Sequence, residues 1–139
     1  MTIKDFRLED YSAVFELWKK AGLVTRPGDD LSDIKLKLER DPDLFLLAEE
    51  HGEIVGSIMG AWDGRRGWIY HLAVRPDRQR KGIGKALVAE LEYRLRKKGA
   101  KKVNAQIYRS NHRSLDFFKA AGYQSQPELV MIGKHLGRT

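Results

Sequence analysis

From Arg75 to Lys85 the chain reads Arg-Pro-Asp-Arg-Gln-Arg-Lys-Gly-Ile-Gly-Lys, a run whose residue types suit the capture of an anion. It follows a strand-like segment and opens a helix-like one at Gly82. The first backbone N–H groups of a helix have no internal partner, and the helix dipole turns its positive end outward there. A phosphate at that point accepts those N–H bonds and meets favourable charge. Glycines at 82 and 84 remove side chains that would hold a phosphate away from the backbone. Arg75, Arg78, Arg80, Lys81 and Lys85 gather cationic charge at the same end. The plainer alternative is that the glycines only shape a strand-to-helix turn and the cations are solvated. Two other phosphate loops fail on spacing. A Rossmann fingerprint needs glycine or alanine where Leu87 stands. A Walker loop needs glycine at Gln79 and a hydroxyl residue at Ala86.

The elements that must position this loop follow from periodicity. Ile3 to Arg7 is strand-like, and from Glu9 to Gly22 Tyr11, Val14, Phe15, Leu17 and Trp18 recur at helical spacing. Asp29-Asp30-Leu31-Ser32 offers N-caps to a second helix, with Ile34 and Leu38 on its buried side and Pro42 as its stop. Leu44 to Glu50 and Ile54 to Trp62 read as a hairpin about His51-Gly52-Glu53. After a turn at residues 63–67 comes a third strand, Trp68 to Val74. The long helix from Gly82 to Lys98 carries Leu87, Val88, Leu91 and Leu95 on one face and stops at Gly99. Lys102 to Tyr108 alternates as a strand, parallel to the one before the helix because a crossover joins them. Asn111 caps a further helix to Ala121, and Tyr123 to Leu136 offers two last strands broken at Gln126-Pro127. The expected order is β-α-α-β-β-β-α-β-α-β-β, a mixed α/β (α+β) layer in one domain, residues 1–139.

Composition narrows the chemistry. With no cysteine among 139 residues, disulfides, thiolate-bound zinc and a cysteine nucleophile are excluded. Four dispersed histidines (His51, His71, His112, His135) show no metal-site spacing, so no metal is expected. No apolar stretch is long enough for a signal or a membrane span, which points to a cytoplasmic protein without a membrane partner. The net charge of +7 asks for an anionic partner. Nucleic acid is disfavoured because the long helix mixes Glu90 and Glu92 with Arg94 and Arg96, and the densest cations sit beside glycines.

Gln79-x-x-Gly82-x-Gly84, preceded by Leu72-Ala73-Val74-x-Pro76, resembles the acetyl-CoA signature of the GNAT superfamily of N-acetyltransferases. Asn111-x-x-Ser114-x-x-Phe117-Phe118-Lys119-x-x-Gly122-Tyr123 resembles the superfamily's second coenzyme segment. The order of elements also matches that fold over essentially the whole chain: a central mixed sheet, antiparallel at first, with a splayed parallel pair and flanking helices. The resemblance implies an N-acetyltransferase that uses acetyl-CoA as co-substrate and transfers its acetyl group directly to a primary amine. By that resemblance Leu72, Ala73 and Val74 bind the pantetheine amides through their backbone. Gln79, Arg80, Lys81, Gly82, Ile83 and Gly84 bind the pyrophosphate with Lys85 close behind, and Asn111, Ser114 and Phe118 complete the coenzyme contacts. Asn111 also has an ordinary role as a helix cap. A backbone N–H between Leu72 and Val74 would polarise the thioester carbonyl.

The proton-transfer groups are less defined. Many members of the superfamily carry a tyrosine acid where this chain has Phe118, which has no proton to give. Tyr108 and Ser110 are the candidate replacements, unless the thiolate leaves with water as donor. The strand before the loop holds no carboxylate, which leaves His71 as candidate base, since histidine titrates near neutrality. Tyr70 is expected to alternate with it onto the other face. Glu49 and Asp63 are weaker candidates. Trp18 reads as core, whereas Trp62 and Trp68 could line an acceptor site. The competing reading is an acyl-CoA-binding module without catalysis. The acceptor (small molecule, amino acid or protein N-terminus) carries no readable code. A monomer is compatible with the sequence, as is a homodimer paired through the tail strands.

Overall fold

The computed structural model describes residues 1–23 and 28–137. They form two compact units, residues 1–106 and 107–137.

In the first unit, β1 (Thr2–Asp5), α1 (Tyr11–Lys20), α2 (Leu31–Arg40), β2 (Phe45–Glu50), β3 (Glu53–Trp62), β4 (Gly67–Val74), α3 (Ile83–Lys98) and β5 (Val103–Ala105) follow in chain order. The sheet has the simple order β1-β2-β3-β4-β5, antiparallel throughout except for the parallel β4–β5 pair. A two-residue turn joins β2 to β3, with His51 at φ +50° and Gly52 at +78°, the left-handed pair that matches strand twist in a tight hairpin.

β2 is buried on both faces, which explains its continuous apolar run. Phe45 and Leu47 join Phe6, Val14, Leu17, Trp18, Ile34, Met59 and Ala73 in one core cluster on the α1–α2 side. Trp18 is core, as its stripe position implies, and its indole N–H donates to buried Ser57 Oγ at 3.1 Å. Phe6, Phe45 and Trp18 stack in series, with successive ring centroids 4.1 and 6.3 Å apart.

The opposite face receives α3 through Ile83, Leu87, Leu91 and Leu95, all buried and four residues apart. Three sheet glycines permit the close approach. A Cβ on Gly56 would lie 2.9 Å from Ile83 Cγ2, one on Gly60 2.6 Å from Leu91 Cδ1, and one on Gly67 2.6 Å from Leu95 Cδ1. The helix axis is thereby fixed along β3 and β4, and its N-terminus is carried to the end of β4.

Two strand expectations are corrected. The strand expected over 102–108 is only Val103–Ala105, because β4 offers it ladder partners only from Gly67 to Ile69. In the second unit, α4 (His112–Ala120) is followed by no strand among the described residues up to 137. Leu129, Val130, Met131, Ile132 and Leu136 are exposed there. Alternating apolar residues make a strand only where a neighbouring strand takes their backbone groups; among the described residues no strand pairs with them, and the Leu129 N–H turns back to the Gln126 carbonyl at 3.1 Å.

Candidate active site

The sheet is irregular between β2 and β3 at Ala48–Glu49 and again at β4. The pairing of β4 with β3 runs Gly60↔Ile69, Met59↔Tyr70, then Ser57↔Ala73 and Gly56↔Val74. Two steps along β3 thus match three along β4, so β4 carries one extra residue, a bulge at His71–Leu72. His71 adopts φ +48°, a left-handed conformation that costs a side-chain-bearing residue roughly 1 kcal/mol. On the other edge, pairing with β5 ends at Ile69, whose carbonyl accepts a last bond from the Gln106 N–H at 3.4 Å. From Tyr70 to Val74 no strand pairs with that edge among the described residues. The ladder between the two parallel strands therefore ends at Ile69, before Leu72, Ala73 and Val74.

The bulge overturns one expectation. Tyr70 and His71 do not alternate onto opposite faces. Tyr70 packs against the α1-side core that includes Ala73, and the His71 ring meets Trp18 of α1 edge-on at 4.9 Å between centroids. The extra residue turns His71 to the side of its neighbour. His71 Nε2 lies 2.6 Å from Asp29 Oδ1, with side-chain exposures of 18% and 9%, so this is a sheltered pair. The Asp29 carbonyl in turn accepts the Tyr11 hydroxyl at 3.1 Å. Asp29 was expected among the caps of α2. Asp30 holds the cap position instead, making no side-chain cap bond, while the Asp29 carboxylate turns to His71. Nothing in the sequence separates one member of the Asp-Asp pair from the other. Burial pushes the Tyr70 phenol above its ordinary value, with a smaller contribution from the Asp63 charge, so it stays protonated at neutral pH.

After β4 a single 3-10 turn, Pro76–Arg78, leads into the loop. The Gln79 side-chain amide donates to the Val74 carbonyl at 3.1 Å, folding the loop back on the strand end. Arg80 (φ +64°) and Gly82 (φ +84°) are both left-handed, and α3 begins at Ile83. The first helical bond runs from Ala86 N–H to the Gly82 carbonyl at 3.0 Å, and among the described residues no side chain caps the helix. The N–H groups of Ile83, Gly84 and Lys85 thus precede the helix's first internal donor. A Cβ on Gly82 would meet nothing within 4 Å, so the space beside this helix start is open.

The cations of this loop divide into two groups. Arg75 binds Asp77 at 2.7 Å and Glu53 at 2.8 Å, holding both carboxyls below their ordinary values. Arg78 pairs with Glu50 at 2.8 Å. These two arginines fasten the loop to the β2–β3 hairpin. Arg80, Lys81 and Lys85 are exposed and have no carboxylate partner among the described residues, so their charge faces outward at the open end of α3.

The remaining candidates are divided between the two units. Asn111 caps α4 by accepting the Ser114 N–H at 3.1 Å, which bears out its structural role. Phe118 is buried in the second unit, edge-on to Phe117 and Tyr123 at 5.1 Å each. Tyr108 and Ser110 are exposed residues of that unit. Glu49 is engaged by Lys4 at 3.0 Å. Asp63 is clamped by the N–H groups of Arg66 and Arg65 and by the Trp68 indole, which pull its carboxyl down to about 2. It closes a turn and is a poor proton acceptor at neutral pH. Trp62 and Trp68 flank that turn, at the opposite end of β4 from the loop, roughly 10–13 Å from His71 along an extended strand. Among the described residues no cluster of metal-ligating side chains occurs, and no helix is long and apolar enough to cross a membrane.

This geometry has relatives. An acetyltransferase of Sodalis glossinidius is 40% identical over 136 residues, covering 98% of this chain and 96% of its own. One from Pectobacterium atrosepticum matches at the same identity and coverage. Among solved structures, Naa20 of Chaetomium thermophilum in complex with a bisubstrate analogue superposes with a TM-score of 0.76 at 26% identity, over 87% of this chain and 70% of its own. The PaiA N-acetyltransferase of Thermoplasma acidophilum in complex with coenzyme A shares the fold, with a TM-score of 0.80 at 20% identity over 90% of each chain. The family model described as Acetyltransferase (GNAT) family matches residues 11–123, and the chain therefore belongs to the GNAT family of N-acetyltransferases.

Proposed function

We propose that this enzyme takes its acetyl group from acetyl-CoA and delivers it directly to a primary amine. The observation that carries this reading is the uncapped start of α3 beside open space at Gly82, directly after a strand whose pairing with its parallel neighbour ends at Ile69. The residues suit the coenzyme at both places. The N–H groups of Ile83, Gly84 and Lys85 donate to the pyrophosphate, and Arg80, Lys81 and Lys85 add charge around it. The edge from Leu72 to Val74 offers backbone groups to the pantetheine amides, as a strand edge does to any extended chain. One N–H on that edge polarises the thioester carbonyl, and alignment of the two substrates supplies much of the remaining rate. Tyr70 remains a proton donor beside the bulge. Asn111, Ser114 and Phe118 belong to the coenzyme segment that the family resemblance assigns. The family match runs across both compact units, which supports one acetyltransferase domain over the whole chain.

The test is coenzyme A release from acetyl-CoA across amino acids, polyamines, aminoglycosides and peptides with free N-termini. Turnover with at least one class is expected. Gly82→Glu, which sets bulk and negative charge where the phosphates bind, is expected to abolish acetyl-CoA binding by calorimetry. Full affinity in that variant would refute the loop assignment. Binding in the wild type without turnover on any amine would leave a coenzyme-binding module.

A further inference from the structure

Three elements that are distant in sequence converge on the β4 bulge. α1 brings the Trp18 ring edge-on to His71 and the Tyr11 hydroxyl to the Asp29 carbonyl. The segment before α2 brings the Asp29 carboxylate to His71 Nε2 at 2.6 Å. β4 places His71 there at the expense of a left-handed backbone. Packing alone does not call for this arrangement, since a surface histidine needs neither a sheltered carboxylate nor an extra strand residue. Backbone strain that the surroundings over-determine is a mark of functional geometry.

We propose that Asp29 is a positioning residue that holds His71 in the tautomer with the proton on Nε2, so that Nδ1 keeps its lone pair and serves as the catalytic base. This proposal rests on the acetyl-transfer reading above. A carboxylate can only accept, so the ring nitrogen facing it must carry the proton. Asp29 therefore fixes which nitrogen remains basic, while Trp18 limits rotation of the ring. The acceptor arrives largely as an ammonium ion, which has no lone pair to attack with. His71 Nδ1 takes one proton from it and becomes an imidazolium, whose charge the Asp29 carboxylate offsets. The freed nitrogen lone pair forms the C–N bond to the acetyl carbon, and the C–S electrons depart with sulfur. The second nitrogen proton goes to the departing thiolate, and His71 returns its own proton to solvent. Acetyl-CoA and the ammonium ion thus become the amide, free coenzyme A and one proton. His71 adjoins Leu72–Val74, the edge assigned to pantetheine, and lies within about 10 Å of Val74 along the strand.

The experiment combines two readouts on the whole chain. In the first, nitrogen-15 histidine spectra of the wild type at neutral pH should show His71 protonated on Nε2 and bare on Nδ1. Asp29→Asn should disturb that signature. A wild-type His71 protonated on Nδ1 would overturn the proposal, and this measurement needs no acceptor. In the second, kinetics use the best amine of the panel. Asp29→Asn should lower kcat by about 10- to 100-fold, and His71→Asn by on the order of 100-fold or more, with acetyl-CoA affinity unchanged in both. Asparagine tolerates the left-handed backbone, so His71→Asn removes the imidazole without adding strain. Wild-type kcat in both variants would overturn the dyad and leave the transferase standing. Absence of turnover in the wild type would instead overturn the transferase reading on which the dyad depends.

Discussion

A single methyl group at Gly60 measures how tightly α3 is held against the sheet. Its Cβ would stand 2.6 Å from Leu91 Cδ1, 2.8 Å from Cδ2 and 3.1 Å from Cγ. Carbon atoms rest about 3.5–4.0 Å apart, so the closest contact falls short by roughly 1 Å. Leu91 is fully buried and cannot swing into solvent. Gly60 is pinned as well, since its N–H bonds the Leu44 carbonyl and it pairs with Ile69. Overpacking of this kind costs about 1–3 kcal/mol. The φ of Gly60 is not in the left-handed region, so alanine also recovers about 0.4–1 kcal/mol by restricting the unfolded chain. The net expectation for Gly60→Ala is a loss of about 1–2 kcal/mol, or roughly 3–7 °C in Tm for a chain of this length. Leu91→Ala alone leaves a cavity and should cost about 2–5 kcal/mol. In the double variant the new methyl group enters that cavity, so the combined loss should fall below the sum by about 1 kcal/mol or more. Urea titration of the four proteins gives the cycle. Additivity within about 0.5 kcal/mol would mean that the helix rides clear of Gly60 and that the close approach is not what positions α3.

Two further substitutions extend this logic. Gly56→Ala would set a Cβ 2.9 Å from Ile83 Cγ2 and 3.1 Å from Leu87 Cδ1, at the first turn of α3. Displacing that turn should weaken acetyl-CoA binding by about 3- to 30-fold, the weight of one charge-assisted hydrogen bond made poorly. Gly60→Ala, two turns further along, should change it less; calorimetric affinities of the two variants compare them. At Asp63 the folded carboxyl is pulled down to about 2 from its ordinary 3.8, because backbone N–H groups and the Trp68 indole favour the charged form. A depressed value means that the stabilisation is present above about 3.8 and is lost as pH falls through about 2. The Tm advantage of the wild type over Asp63→Asn should therefore be constant from pH 7 to about 4.5 and shrink toward pH 2. A gap that stays constant to pH 2 would show that the clamp does not depend on charge.

The helix start proposed to hold the phosphates was legible in the sequence because each of its determinants is local. Gly82, the cations and the apolar spacing of α3 are all read within one window, and the same residues form the helix start. The Trp18 stripe was legible for the same reason. The charge cluster was legible only in part. Arg75 and Arg78 look like phosphate ligands in a linear reading, yet they meet Glu53 and Glu50, which come close only when the β2–β3 hairpin forms. Non-local facts of that kind decided every correction. β5 is short because its ladder with β4 ends at Ile69, and the tail's alternating residues find no strand among the described residues.

The bulge shows most clearly why such facts escape a sequence. Period-two alternation assigns Tyr70 and His71 to opposite faces, and one inserted residue reverses that for His71 while keeping Ala73 on the face of Ser57. No residue type at 70–73 marks the insertion, since a glycine would be the usual sign of a left-handed position and histidine stands there instead. The same irregularity lies where β4 loses β5 as a partner and where His71 reaches Asp29. A strand edge open to an extended ligand and a histidine held by a carboxylate are thus consequences of one extra residue. Deleting His71 should restore regular alternation, re-register β4 against β3 and remove both features together. Replacing it with asparagine should preserve the edge and remove only the proposed base.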